Sequence, residues 1–210
     1  METNEELLIK GLSELHIPPS GKNTEPFVAY LRELKKWNRT YNLTALKSDR
    51  DIIIKHFIDS LLYLRAIPEG QLSLCDVGSG AGFPGLPIAI VRPDITVTLT
   101  EPSRKKVAFL KHARRTLSLD NIEILESRIE EIRDRLFDIA VTRALFSIGD
   151  FVKKAGHVVK EGGCFILNKG PKLEEETRDL PASVKCEYIP AKLPMTPLQR
   201  TIVRVRVERV

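Results

Sequence analysis

The chain predicts an α/β protein with a seven-stranded, mostly parallel sheet, an antiparallel last strand and a helical segment ahead of it. Three observations carry this. From residue 72 onward, short apolar or alternating runs take turns with helix-period runs, as in a parallel sheet covered on both faces. A glycine-rich stretch, Asp76-Val77-Gly78-Ser79-Gly80-Ala81-Gly82-Phe83-Pro84-Gly85, joins the first strand to the helix after it. The first 70 residues carry only helical periodicity. The expected division is a helical extension over 1–70, packed on the core, and a main domain over 71–210.

In the first helix Leu8, Leu12 and Leu15 form a stripe that Pro18-Pro19-Ser20-Gly21 ends. The second opens near Thr24-Glu25-Pro26, with proline in its first turn, and buries Phe27, Leu31 and Leu34. Tyr30, Trp37 and Tyr41 continue an adjacent stripe. The third opens around Ser48-Asp49, carries Ile53, Phe57, Leu61 and Leu64, and stops before Pro68-Glu69-Gly70. Strands follow at 72–77, 95–100, 122–125, 137–142, 163–168, 184–189 and 201–207. Helices are expected near 84–91, 103–117, 127–133 and 146–158, with a weaker one near 172–179. In the last strand Val203, Val205 and Val207 share one face, and Ile202, Arg204 and Arg206 the other, as in a half-exposed antiparallel strand.

Composition narrows the class. With 210 residues, 42% hydrophobic and 29% charged, the chain reads as an ordinary globular protein. The acidic start, Met1-Glu2-Thr3-Asn4-Glu5-Glu6, is unlike a secretory signal, and no apolar run reaches bilayer length. Cys75, Cys164 and Cys186 lack metal or disulfide spacing with each other or with His16, His56, His112 and His157. They read as buried, reduced cysteines of a cytoplasmic protein without a metal site. The net charge of +5 favours a polyanionic partner. Basic residues cluster at Lys35, Lys36 and Arg39, at Arg104, Lys105, Lys106 and Lys111, and at Arg200, Arg204 and Arg206.

Glycines in the 76–85 turn permit positive φ and close approach of backbone to a ligand. Asp76 ends the first strand. It can cap the following turn, or attract an ammonium and a sulfonium where it would repel a diphosphate. Glu101, at the end of the second strand, can accept both ribose hydroxyls, or stand solvated. Together the two acids bracket a nucleoside with a cationic tail, a description of S-adenosylmethionine. Arg143 ends the fourth strand, where open α/β sheets gather functional groups. It can hold a cofactor carboxylate or a substrate phosphate, or bridge surface acids. Ile129-Glu130 after the third strand can meet an adenine edge, or form a solvated helix face. His56 and Asp59 are three apart, so a general-base pair is conceivable, but the apolar neighbours of His56 favour a packing histidine. Trp37 and Tyr41 suit base stacking and core packing equally.

Several motifs occur in order over residues 25 to 170. They are Trp37-Asn38-Arg39-Thr40-Tyr41-Asn42-Leu43-Thr44-Ala45, His56-Phe57-x-Asp59-Ser60-Leu61, the 76–85 turn, Ser103-Arg104-Lys105-Lys106-x-x-Phe109-Leu110, Arg143-Ala144 and Lys169-Gly170. In these the chain resembles the RsmG (GidB) family. The resemblance implies a class I, Rossmann-like methyltransferase with a helical cap. Such an enzyme transfers a methyl group from S-adenosyl-L-methionine, leaving S-adenosyl-L-homocysteine, to nitrogen 7 of one guanine in the decoding region of 16S ribosomal RNA. Carried over by motif, Gly78, Phe83, Ile129, Glu130 and Arg143 would contact the cofactor, with Asp76, Gly80 and Gly82 in the same turn and Glu101 at the ribose. His56, Asp59, Arg143 and Lys169 would position the guanine and its phosphates, none as a base, because nitrogen 7 has no proton to lose. Lys35, Lys36, Arg39, Arg104, Lys105, Lys106 and Arg200 are the RNA-binding candidates. The implied partner is 16S rRNA in the small ribosomal subunit or an assembly intermediate, with a monomer as the default state. The chain departs from the family pattern at Glu101-Pro102, where Glu-Ser is expected, and at Asn168. Proline at 102 removes a backbone donor. Two other readings of the turn are a catalytically silent nucleoside-sensing RNA-binding protein and an NAD-dependent oxidoreductase. The latter lacks a recognisable hydride-transfer site.

Overall fold

The computed structural model describes residues 2–170, 173, 180 and 183–207. Its sheet has seven strands in the order β3-β2-β1-β4-β5-β7-β6. They are β1 (Leu72–Val77), β2 (Ile95–Thr100), β3 (Ile122–Leu125), β4 (Phe137–Arg143), β5 (Val159–Lys169), β6 (Val184–Lys192) and β7 (Gln199–Val207). The first five pair in parallel, and β7 lies antiparallel between β5 and β6. Chain order reverses between β1 and β4. In open α/β sheets the ligand crevice lies at such a reversal, at the C-terminal strand ends.

Three helical stretches precede the sheet. α1 (Asn4–Glu14) begins with a reciprocal cap, Glu6 N–H to Thr3 Oγ1 (3.1 Å) and Thr3 N–H to Glu6 Oε2 (2.7 Å). α2 (Gly21–Tyr41) starts three residues before the expected Thr24, because Asn23 Oδ1 accepts the Ser20 N–H (2.9 Å) and fixes the turn there. Pro26 therefore lies inside the helix. Asn42, left-handed at φ 49, ends it.

The third stretch is less regular than its sequence period. α3 (Asp49–Ile52) widens into π-helical turns over Ile53–Ile58, resumes as α4 (Asp59–Leu61) and tightens to a 3-10 turn over Leu62–Arg65. Ile52, Ile53, Ile54, Phe57, Ile58, Leu61, Leu62 and Tyr63 are all buried, a wider apolar surface than one α-helical stripe presents. The widened turns accommodate it.

The remaining helices alternate with the strands. α5 (Gly85–Val91), α6 (Arg104–Thr116) and α7 (Ile148–Ala155) match expected positions, the last followed by a 3-10 turn over Gly156–Val158. The helix expected at 127–133 is only a 3-10 turn, Ile129–Glu131. Ile129 and Ile132, three apart and both buried, suit that tighter period. The weak helix at 172–179 falls outside the described residues except at Leu173. In β7, Ile202 is as buried as Val203 and Val205, because the strand is internal and covered on both faces there. Cys75 and Cys164 are buried and free, whereas Cys186, on edge strand β6, is only half-buried.

The N-terminal helices share one apolar cluster with the sheet, from Leu8 and Phe27 through Phe57 to Leu74, Val141 and Ile166. Tyr63 adds a polar tie, its hydroxyl donating to Thr142 O (2.7 Å) and accepting the Asn168 N–H (3.2 Å) at the ends of β4 and β5. Tyr63→Phe strands a buried carbonyl and an amide. Urea unfolding should show a loss of about 1–3 kcal/mol; an unchanged midpoint would dismiss the tie.

Candidate cofactor and active site

Register places the turn and Glu101 together, since Val77 pairs with Thr100 in the adjacent strand. The turn is tied to β2 by Ser79 N–H to Thr100 O (3.0 Å) and by Gly80 N–H to Glu101 Oε2 (2.9 Å). Gly78 and Gly80 have φ of +68° and +60°, where a side chain is strained. Gly82, at φ +99°, and Gly85 are also closely packed. A Cβ on Gly82 would lie 2.4 Å from Leu86 Cδ1, and one on Gly85 2.3 Å from Leu99 Cδ2. At Gly80 a Cβ would meet nothing nearer than 4.0 Å. Gly80→Ala should therefore cost about 1 kcal/mol of stability by strain. A larger fall in cofactor affinity, about tenfold by calorimetry, would mark the added methyl as meeting the ligand; parallel losses would assign Gly80 to the turn alone.

Asp76 caps the turn and keeps one carboxylate oxygen without a partner. Its Oδ2 accepts the Gly85 N–H (2.8 Å) and so occupies the start of α5, while its Oδ1 has no partner. The residue is fully buried, and that burial lifts its carboxyl to about 7, against the lowering effects of the Gly85 N–H and Arg143. The α5 N-terminus is thus occupied by Asp76. Glu101 is also buried, accepting from Gly80 N–H and from Ser103 N–H (3.0 Å), with Lys106 Nζ at 3.8 Å. Each carboxylate oxygen keeps acceptor capacity for a further hydroxyl.

A cavity of about 290 Å³ opens beside these groups, bounded by Gly78, Thr100, Pro102, Ile129, Glu130 and Leu145. Pro102, at the departure from the family pattern, contributes an apolar wall in place of a donor. Glu130 lines the cavity, but its carboxylate binds Lys154 Nζ (2.6 Å) and does not reach freely inward. The Ile129 carbonyl accepts His157 Nε2–H (3.2 Å). A larger cavity of about 660 Å³ lies around the start of β5, at the opposite end of the sheet from the turn.

Arg143 lies beside the turn with its guanidinium 5.8 Å from the Phe83 ring centre. Nη2 donates to Lys55 O and lies 3.4 Å from Asp59 Oδ2, while Nη1 is buried and unpartnered. Asp59 also receives Arg200 Nε (2.9 Å) and Asn168 Nδ2 (3.3 Å) at Oδ1. The conceivable His56–Asp59 pair is thus not formed. His56 instead meets Thr44 Oγ1 through Nε2 (2.7 Å) and stacks on Phe83 with ring centres 4.5 Å apart. Burial, helped by Arg143, brings its pKa down to about 3, so it is neutral. It is a packing histidine beside the site.

Two other candidates are engaged differently from expectation. Lys169 Nζ donates to Phe146 O (2.7 Å), holding the β4–α7 loop. Arg200 is drawn onto Asp59, away from a free RNA-binding position, because its strand returns beside β5. Of the other basic candidates, Lys35 pairs with Asp49, Arg104 with Glu126 and Lys106 with Glu101, while Lys36, Arg39 and Lys105 are exposed. Trp37 packs on Phe109 and His112, and Tyr41 is 40% exposed. Leu145, Lys154 and Thr44 are not among the sequence candidates, although Thr44 lies within the 37–45 motif.

Among the described residues, four buried side-chain atoms have no hydrogen-bond partner: Asp76 Oδ1, Arg143 Nη1, His56 Nδ1 and Asn168 Oδ1. All four belong to side chains around the C-terminal ends of β1, β4 and β5. Such atoms are rare in folded proteins, and a cluster of them fits a bound polar ligand. The anionic and cationic groups suit the ammonium and carboxylate of an amino acid, and Glu101 beside the cavity suits a ribose. The residues therefore fit S-adenosylmethionine. Among the described residues there is no group of metal-binding side chains, and no helix is long and apolar enough to cross a membrane.

Comparison with known proteins agrees with this geometry. Residues 23–202 match the model of the family described as GidB, rRNA small subunit methyltransferase G. The chain is 40% identical over 207 residues to a protein of Nitrosococcus oceani named ribosomal RNA small subunit methyltransferase G, covering 98% of this chain and 96% of that one. A protein of the same name from Neisseria meningitidis serogroup C is 40% identical over 184 residues, with 88% of each chain covered. In fold, a methyltransferase from Pyrococcus furiosus superimposes with a TM-score of 0.60 at 14% identity, over 87% of this chain and 98% of that one.

Proposed function

The chain belongs to the GidB family of rRNA small subunit methyltransferases, and we propose that it transfers a methyl group from S-adenosylmethionine to nitrogen 7 of one guanine in 16S rRNA. The observation that carries the proposal is the cluster of unpartnered buried atoms beside the glycine turn and Glu101, at the sheet's point of reversal. The cofactor supplies an electrophilic methyl group on a sulfonium.

The protein's own residues bind and orient. Backbone at Gly78 and Gly80 lines the approach, Glu101 accepts ribose hydroxyls, and Ile129 and Pro102 enclose the base. Asp76 faces the ammonium and Arg143 the carboxylate. Phe83, stacked with His56 and Tyr30, forms an apolar wall that excludes water from the reacting atoms. Guanine nitrogen 7 presents an in-plane lone pair and carries no proton, so no base is required. A neutral His56 held by Thr44 agrees with that. Rate enhancement then comes from proximity and alignment. The polyanionic substrate is 16S rRNA in the small subunit or its assembly intermediate, which places the work in the cytoplasm. Exposed apolar side chains such as Leu136, just before β4, and Tyr188, on β6, lie on separate segments, which supports a monomer.

Incubation with methyl-labelled S-adenosylmethionine and small subunits lacking the modification tests this. Label is expected in 16S rRNA at one guanine, with strand scission after reduction and aniline treatment reporting nitrogen 7. Cofactor binding without transfer would instead identify a nucleoside sensor, and label at another atom would reject the acceptor.

A further inference from the structure

A groove of about 450 Å³, sharing no lining residue with the cofactor cavity, runs between the C-terminal part of α2 and the segment that follows it. Lys35, Asn38, Arg39, Asn42, Thr44 and Lys47 line it. Arg39, Asn42 and Lys47 are exposed, and Lys36 is exposed next to them on α2. Among the described residues none of Lys36, Arg39 and Lys47 forms an ion pair, whereas Lys35 is neutralised by Asp49. The wall therefore offers Arg39 and Lys47 as cations without an ion-pair partner, with Asn38 and Asn42 between them and Lys36 beside it on α2. A second depression, of about 360 Å³, shares Lys35 and Arg39 and extends the same wall along α2 past Lys36 and Arg32.

The groove connects with the glycine turn through side chains. Asn38 Oδ1 accepts the Thr44 N–H (2.8 Å), and Thr44 Oγ1 meets His56 Nε2 (2.7 Å). The ring face of that imidazole stacks on Phe83, within the turn. The groove is therefore linked to the candidate active site through Thr44, His56 and Phe83 in turn. Spaced cations suit successive phosphates, and the amides of Asn38 and Asn42 suit base edges. Leu46 and Ile52 are the hydrophobic side chains lining this groove, half-buried and buried, so its exposed rim is set by the cations and amides.

We infer that this groove holds a single-stranded stretch of RNA flanking the acceptor nucleotide, with phosphates on Lys36, Arg39 and Lys47. The inference rests on the rRNA methyltransferase reading and adds to it a docking surface outside the cofactor site.

The test is the full-length double variant R39E/K47E, compared with R115E/R133E, which reverses the same charge at exposed positions elsewhere. Filter binding to small subunits lacking the modification, over a salt series, is read beside cofactor affinity and methylation kinetics. For the groove variant, RNA affinity should fall at least tenfold and KM for subunits rise in step. The slope of log affinity against log salt should become shallower by about 1.4, the value for two lost single-strand phosphate contacts. Cofactor affinity should be unchanged. R39Q/K47Q should show the same direction at smaller size and serves if the reversal unfolds the chain. Unchanged subunit affinity in the groove variants, or an equal loss in R115E/R133E, would overturn the inference. Wild-type protein that binds subunits but never methylates them would overturn the catalytic reading, while the binding comparison still judges the groove.

Discussion

Arg143→Ala is expected to lower methylation at least 100-fold, the scale on which a preorganised charged donor acts. It should also destabilise the protein by about 2 kcal/mol. The arginine also ties the fold together. In the structure it bridges Lys55 O and the buried Asp59 carboxylate, so its loss opens a cavity and weakens a buried ion pair. The cost stays below that of a fully orphaned carboxylate because Arg200 and Asn168 remain on Asp59. Arg143→Lys keeps the charge but not the fork, and should recover stability better than activity. Turnover kinetics, cofactor calorimetry and urea unfolding separate these effects. Wild-type methylation in the alanine variant would remove Arg143 from the site.

Asp76→Asn should abolish a pH dependence expected of the wild-type protein's cofactor affinity. Burial holds the Asp76 carboxyl near 7, so it is largely neutral at pH 6 and largely ionised at pH 8. An ammonium-bearing cofactor is held by the ionised form, and its affinity should rise across that window in the wild type and stay flat in the variant. Stability moves the opposite way. A carboxyl whose folded pKa is raised contributes stability that is full below its unfolded value and is lost as pH rises through about 7. His56 has the reverse linkage. Its pKa is lowered from 6.5 to about 3, so its contribution is lost as pH falls through that range. The two slopes oppose one another between about pH 4 and 6.5. Asp76→Asn should therefore be more stable than wild type at pH 8 and lose stability more steeply on acidification. Parallel curves for the two proteins would show that Asp76 does not titrate as its burial implies.

Much of the scaffold was legible because it is written in short-range patterns. The alternation of β-branched and polar residues over 95–100 and the apolar runs at 72–77 and 122–125 match the observed strands residue for residue. Turn stereochemistry is equally local: Gly78 and Gly80 take positive φ, and Asp76 and Glu101 arrive side by side because β1 and β2 pair in register. The widened turns at Ile53–Ile58 were not legible. A stripe at 53, 57, 61 and 64 reads as ordinary α-helix until the surfaces that bury its neighbours are known. Nor did local pattern separate a single 3-10 turn at Ile129–Glu131 from a short helix.

The sequence by itself determined the strand–helix alternation, the glycine turn, the two acids at its rim and, through their order along the chain, the family. Each depends on residues within a few positions of one another or on a motif of fixed spacing. Tertiary structure alone decided which partner each charged group takes. Asp59 receives Arg143 and Arg200 in place of His56, Lys169 holds a backbone carbonyl, and Glu130 is bound to Lys154. Asp59 and Arg200 are 141 residues apart. A buried charge pairs with whatever opposite charge the packing brings within reach, and that is set by the whole sheet order rather than by any local run.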